Sequence, residues 1–582
     1  MKNFKPVLII VILGLAVYAN SLSGKFIWDD GQLVENNVRI KGWAGVPKIF
    51  TEDIGKGSGE EYNFYRPLQI FSYRIDYCLW RLEPQGYHLS SILLHIFVAL
   101  AVYWLVNILY GNRLLSLLTG ALFVIHPIHT ETVAYISGRA DILAVLFILL
   151  SFIFYIRHLR SDKISALILA LISYILALLS KESSLIFPVL LLFYYFAFAK
   201  KITARALLPV LVITLFYIVF RTTVLSPALP DVSHYPPALQ RMPAFFVAIT
   251  SYIKLLLFPV DMHMEYGNRL FTMIDPRAIT GALIIVFSLS YILRKKRSSG
   301  PVFFSICWFF ITLLPLSNIY PLNAYMAEHW LYLPSIGFFL IMAKGLSFIY
   351  EDKKLKVFAL ALIASLIVFY SFLTIRQCDY WKEPIIFYKR TLEYAPDSLK
   401  IHNNLGISYS ALGKHEEAIA AYQKTLEIDP DYVEARYNLG TAYDALGRHE
   451  DAIAAYEAAI ETDASYSKAY NNLGNIYSDA GRNEEAITLY EEAIKINPDY
   501  RDAYYNLANE HRKTGKNKEA IALYKKALEI DPYCAAAHNN LAVAYCNEEE
   551  HDSAIKHCDR AIELGLRVHP GFMEELKPYR QE

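Results

Sequence analysis

Five leucines in the last third of the chain, Leu405, Leu439, Leu473, Leu507 and Leu541, stand 34 residues apart. The next position is always small: Gly406, Gly440, Gly474, Ala508 and Ala542. A second small series, Ala418, Ala452, Ala486, Ala520 and Ala554, is followed by Tyr422, Tyr456, Tyr490 and Tyr524, with Cys558 fifth. Gly413, Gly447, Gly481 and Gly515 recur between them, and Glu549 takes the fifth place. Small residues let two helices approach closely, and large ones fill the space between neighbouring pairs. A fixed period of this kind specifies a stack of helix pairs, each burying its apolar face on the next.

This period resembles the tetratricopeptide repeat. Five repeats are expected over 399–568, with a linker or half-repeat at 378–398 and a terminal cap at 569–582. One further series, Asn404, Asn438, Asn472, Asn506 and Asn540, falls where that family lines its groove. It is similar to the ladder in the nucleocytoplasmic O-linked N-acetylglucosamine transferase, which implies a peptide groove. The other reading is that each Asn simply bonds the adjacent helix.

The first 377 residues follow a different rule. Nearly unbroken apolar runs recur, among them Val7–Ala19, Leu89–Leu109, Ile142–Ile156, Ala166–Leu179, Leu207–Phe220, Ile279–Leu293 and Val357–Thr374. The chain is 55% hydrophobic with 43 Tyr and a mean hydropathy of +0.27, as a membrane protein with aromatic interfacial belts requires. Lys2 and Lys5 before the first run give it a signal-like start, but the many later runs favour a retained helix. Short basic segments recur at Arg113, Arg157–Lys163, Lys200–Arg205, Arg294–Arg297 and Lys353–Lys356. Placing all of these and the N-terminus in the cytoplasm requires about eleven spans. The apolar run 245–258, interrupted by Lys254, is then re-entrant or interfacial. The repeats and the long first loop fall outside. Zero net charge offers no general case for a nucleic-acid partner. Six scattered Cys show no metal-ligand spacing and read as reduced thiols.

The chemistry-bearing residues cluster in the expected outer loops. Trp28-Asp29-Asp30 follows the first run directly. An acidic pair so close to lipid is costly unless it is solvated, paired or working, and glycosyl transfer to a hydroxyl needs a base near the attacking oxygen. The alternative is an Asx turn ending a helix. The placement resembles the integral-membrane glycosyltransferases of the GT-C fold, which use polyprenyl-phosphate sugars, and it implies that Asp29 or Asp30 is catalytic. His126, His129 and Glu131 form a second cluster, suited to orienting the acidic pair, contacting the leaving phosphate or holding a divalent metal. Arg66, Arg139 and Lys181 are candidate cations for a lipid phosphate, set against interfacial snorkelling, an Arg139–Asp141 pair and a Lys181–Glu182 pair. Glu328 and His329 stand at the start of another apolar run and are candidates for a wall of the donor site.

Taken with Asn63–Leu68, Tyr87–Leu89, His95 and Ser137–Asp141, these stretches resemble the transmembrane and tetratricopeptide-repeat O-mannosyltransferase family. The resemblance implies an all-α chain: a polytopic GT-C-like domain over 1–377, then an α-solenoid. It implies transfer of mannose from a polyprenyl-phosphate carrier to Ser or Thr of an extracytoplasmic polypeptide held by the repeats, with no certain cofactor beyond the lipid-linked sugar. The rival readings are a non-enzymatic membrane scaffold and a surface-polysaccharide polymerase or ligase. A multi-pass protein of a prokaryotic inner membrane is expected, with the endoplasmic reticulum as the alternative.

Overall fold

The structure is a computed structural model describing residues 4–59, 62–198, 204–223, 236–267, 269–295, 300–318, 321–322 and 324–580. Among the described residues every regular element is helical. The chain divides into two compact units, Met1–Pro396 and Asp397–Glu582. Lys200, Lys201, Lys296 and Arg297 of the basic segments lie outside the described residues.

The first unit is that of a multi-pass membrane protein. Among the described residues six helices are long and apolar enough to cross a bilayer: Phe4–Ser23, Pro84–Tyr110, Ile136–Ser161, Ala204–Thr223, Pro276–Arg294 and Lys356–Tyr380. The pair Arg113–Ile125 and Pro127–Ala134, bent by 54°, adds a seventh when counted as one span. Ile164–Ser180, Glu182–Ala197 and Pro301–Leu316 are apolar but shorter. The run read as re-entrant or interfacial lies in one helix, Ala238–Leu257. A bend comes at His126-Pro127. Proline has no N–H to continue the ladder, and the His126 side chain accepts the Ile128 N–H in its place. Helix starts follow the same chemistry: the helices from Pro67, Pro84, Pro276, Pro301 and Pro384 each carry proline in the first turn, where a missing donor costs nothing.

The long first loop has its own core. Leu33, Val34, Ile40, Ile49 and Ile54 are buried with Ile70, Tyr73, Tyr87 and Ile136. It is also tied to the end of the last span. The Lys25 N–H donates to the Lys382 carbonyl at 3.0 Å, the Lys25 ammonium meets Glu383 at 2.9 Å, and Asn20 donates to the Ile375 carbonyl at 2.8 Å. The helix Pro384–Tyr394 falls within this first unit. Phe387 lies 4.4 Å from Trp381, ring centre to ring centre, and Tyr388 lies 6.0 Å from Trp28.

The second unit is a tetratricopeptide-repeat array. Its pairs are Leu399–Ala411 with His415–Ile428, Val433–Ala445 with His449–Thr462, Ser467–Asp479 with Asn483–Ile496, Arg501–Lys513 with Asn517–Ile530, and Ala535–Asn547 with His551–Glu563. A Cβ added at Gly406, Gly440 or Gly474 would stand 2.4, 2.7 or 2.8 Å from the ring of Tyr422, Tyr456 or Tyr490, which is why that position stays small. The inter-helix Gly413, Gly447, Gly481 and Gly515 all have φ between +72° and +76°, and Glu549 adopts +62° in the same place. The short helix Pro570–Leu576 closes the end, burying Leu576 on the last pair with Phe572 and Met573.

Candidate active site

The acidic pair stands on a strained turn. Trp28 has φ +56°, a left-handed conformation that costs a bulky residue about 1–3 kcal/mol. The turn exposes the two carboxylates unequally. Asp30 is buried. Its Oδ1 accepts the Ser137 N–H at 2.8 Å and the Ser137 hydroxyl at 2.5 Å, and its Oδ2 accepts the Ile27 N–H at 3.0 Å. Burial pushes its carboxyl up to about 7, against the lowering effect of those hydrogen bonds and with a smaller contribution from the Asp29 charge. Asp29 is half-buried and accepts the Tyr135 hydroxyl at 3.0 Å. Asp30 therefore braces the turn, and Asp29, half-buried, is the more accessible of the two.

Tyr135 and Ser137 stand just before the helix Arg139–Ser161. The Tyr135 ring stacks on Trp381 at 5.6 Å, so the segment holding the acidic pair is itself held by the end of the last span. Glu131, one turn earlier, accepts the His329 N–H at 2.9 Å and lies 2.7 Å from His329 Nδ1. Beside it Glu328 accepts the His263 N–H and the Tyr266 hydroxyl, both at 2.7 Å. Burial, reinforced by the neighbouring Glu131 charge, pushes the Glu328 carboxyl well above the usual carboxylate range. The stretch 131–137 thus joins Glu131, Glu328 and His329 to Asp29 and Asp30.

His126 and His129 sit elsewhere. Both are fully buried. His126 Nε2 lies 3.1 Å from the Leu256 carbonyl, and His129 bridges the Phe123 carbonyl and the Ser335 hydroxyl at 2.8 and 3.0 Å. Their nitrogens are used by the protein, as is His95 Nδ1, 2.7 Å from the Tyr332 hydroxyl. Among the described residues no three His, Cys, Asp or Glu side chains are arranged to hold a metal ion.

The candidate cations are all paired, with partners distant in sequence. Arg66 forks onto Glu182 at 2.8 and 3.2 Å. Lys181 meets both Asp141 oxygens at 2.7 Å. Arg139, almost without solvent access, meets Asp76 at 2.5 Å. The sequence-adjacent pairs Arg139–Asp141 and Lys181–Glu182 are replaced by these. Residues two apart on a helix point to different faces, so Arg139 cannot share a side with Asp141. Asp76, Tyr135 and Tyr388 carried no motif in the sequence; only the aromatic density around Trp381 marked the last of them.

In the second unit the Asn series is tied between repeats. Asn438 donates to Asn403, Asn472 to Tyr437, Asn506 to Asn471 and Asn540 to Tyr505, each at 3.0 Å. The receiving position alternates Asn and Tyr, so the ladder repeats over two motifs rather than one. Asn404 opens the series and is half-buried.

Comparison with known proteins matches both units. The family described as dolichyl-phosphate-mannose-protein mannosyltransferase matches residues 82–230, the stretch that contains Glu131, Tyr135 and Ser137. Tetratricopeptide-repeat families match 397–465, 465–532 and 505–565. The chain is thus a multi-pass helical membrane protein with a mannosyltransferase-like segment and a repeat array. Protein O-mannosyl-transferase F38B6.6 of Caenorhabditis elegans is 29% identical over 70% of this chain and 60% of its own length. Protein O-mannosyl-transferase TMTC3 of Mus musculus is 27% identical over 72% of this chain and 50% of its own. The chain therefore matches between half and two thirds of the length of these relatives. Among solved structures, the crystal structure of MamA shares 30% identity over 30% of this chain and 98% of its own, at a TM-score of 0.25. The resemblance is to the transmembrane and tetratricopeptide-repeat O-mannosyltransferases, and it supports a glycosyltransferase.

Proposed function

We propose that this chain transfers a sugar, mannose, from a polyprenyl-phosphate carrier to Ser or Thr hydroxyls of a polypeptide on the extracytoplasmic side. The observation that carries the reading is the Asp29–Asp30 turn, whose side-chain partners Tyr135 and Ser137 come from the mannosyltransferase-like segment. Asp29 is the base. It takes the proton of the acceptor hydroxyl as the oxygen bonds to the anomeric carbon. The bond from that carbon to the phosphate oxygen breaks on the opposite face, and the lipid phosphate leaves with the electron pair. Asp30 holds the turn in place. The repeat unit holds the acceptor chain, and alignment of the two substrates supplies much of the acceleration.

The test is transfer of labelled mannose from polyprenyl-phosphate mannose to co-expressed extracytoplasmic proteins in membranes. Asp29→Asn is expected to lower transfer by about 10²–10⁴-fold, the usual contribution of a general base, at unchanged protein level. Equal transfer by the wild type and by an Asp29→Asn, Asp30→Asn double variant would remove the pair from the mechanism. No transfer from mannose, glucose or N-acetylhexosamine donors would favour a scaffold.

A further inference from the structure

Breaking a glycosyl-phosphate bond leaves charge on a lipid phosphate, and a cation with unused hydrogen-bonding capacity must meet it. Arg66, Arg139 and Lys181 face carboxylates, as does Arg39, which pairs with Glu52. Their charge is already balanced inside the protein.

Arg390 differs. Among the described residues its Nε is buried with no hydrogen-bond partner. Its guanidinium lies over the Tyr380 ring at 3.9 Å, and one terminal nitrogen reaches the Tyr394 hydroxyl at 3.4 Å. Its ion-pair partner, Glu393 at 3.6 Å, is 66% exposed, so water and salt screen that pair; the Arg390 charge also acts on the buried Glu328 carboxyl, which burial nonetheless holds above the usual carboxylate range. Stacking on an aromatic face fixes the plane of the fork while leaving its donors available.

Its level is set as well. Tyr380 is the last residue of the apolar helix Lys356–Tyr380, and polar headgroups begin where such a span ends. A carrier whose polyprenyl chain lies in the hydrocarbon brings its phosphate to this level. The surroundings are those of the site described above. Tyr394 stacks on His263 at 4.6 Å with rings nearly parallel, and the His263 N–H bonds Glu328.

We infer that Arg390, seated on Tyr380, binds the phosphate of the lipid-linked sugar donor. The assignment rests on the glycosyl-transfer reading. Arg390 takes no proton; it donates hydrogen bonds to phosphate oxygens, including the one that receives the electron pair when the bond to the anomeric carbon breaks.

Two measurements on the full chain in nanodiscs test this: donor kinetics with polyprenyl-phosphate mannose, and thermal stabilisation by polyprenyl phosphate, by polyprenol and by phosphatidic acid. Arg390→Ala is expected to raise the donor KM at least roughly tenfold, as loss of a charge-assisted contact does, and to lower kcat as well, because the contact strengthens as charge develops on the leaving oxygen. It should also abolish stabilisation by polyprenyl phosphate, and Arg390→Lys should recover part of both. Wild-type KM and wild-type stabilisation in both Arg390→Ala and Arg390→Gln would overturn the assignment. Equal stabilisation of the wild type by phosphatidic acid would also overturn it, making this a general headgroup site. If the wild type transfers no sugar, the glycosyl-transfer reading fails. Selective loss of polyprenyl-phosphate stabilisation in Arg390→Ala would then still support the phosphate site.

Discussion

Asp29 and Asp30 are neighbours with opposite environments. The raised carboxyl of Asp30 has a stability consequence. The folded turn keeps a proton that the unfolded chain releases in the ordinary carboxylate range. Its stability is therefore highest at acidic pH and falls as pH rises toward about 7, levelling off above that. Relative to the intrinsic exchange rate, which itself rises with pH, the protection of the Ile27 and Ser137 amides, both donors to Asp30, should fall across that window in the wild type. In Asp30→Asn it should show no such pH-linked loss. The Trp28-Asp29-Asp30 motif was legible because an acidic pair beside a span is rare on energetic grounds. The partners of the cations were not. Arg66 and Glu182 lie 116 residues apart, and only the packing of helices brings them together. Sequence proximity suggested Lys181–Glu182 and Arg139–Asp141, and helix geometry forbids the second.

At the level of elements, the repeat array was legible because the small and aromatic positions of the period answer to local contacts, such as Gly406 against the Tyr422 ring. The departure at Glu549 is equally physical. A left-handed conformation costs a side-chain residue about 1–2 kcal/mol, so Glu549→Gly should stabilise the repeat unit by about 1 kcal/mol. Chemical denaturation of 397–582 would measure it, and no gain would mean that Glu549 makes a compensating contact. The spans were less legible. Hydropathy locates apolar runs but does not distinguish a full crossing from a short or broken helix, and the break at His126-Pro127 depends on a side-chain cap. The helix Pro384–Tyr394 falls in the stretch 378–398 read as a linker or half-repeat. Its aromatic face, packed on Trp381 and Trp28, belongs to the first unit.

At the level of the whole molecule, the division at Pro396 separates a unit with apolar spans from one that carries its own core clusters. The repeat unit 397–582, expressed alone, is expected to be a folded helical protein by circular dichroism with a cooperative unfolding transition. A chain ending at Pro396 should keep donor turnover onto a short Ser/Thr peptide in the labelled-sugar assay and lose transfer to long polypeptides. Full transfer to both would place acceptor binding outside the repeats.

The tie between Lys25 and Glu383 spans 358 residues, and this sets an order of events during synthesis. The first loop leaves the ribosome early, yet its Asp29–Asp30 turn has its supporting wall only when Trp381 and the helix Pro384–Tyr394 have been made. Until then the acidic loop waits beside an unfinished partner. A nascent chain stalled before residue 381 holds both carboxylates and their partners Tyr135 and Ser137, but not the rings of Trp381 and Tyr388 that back them. The acidic turn thus gains its aromatic backing only when the membrane unit is complete.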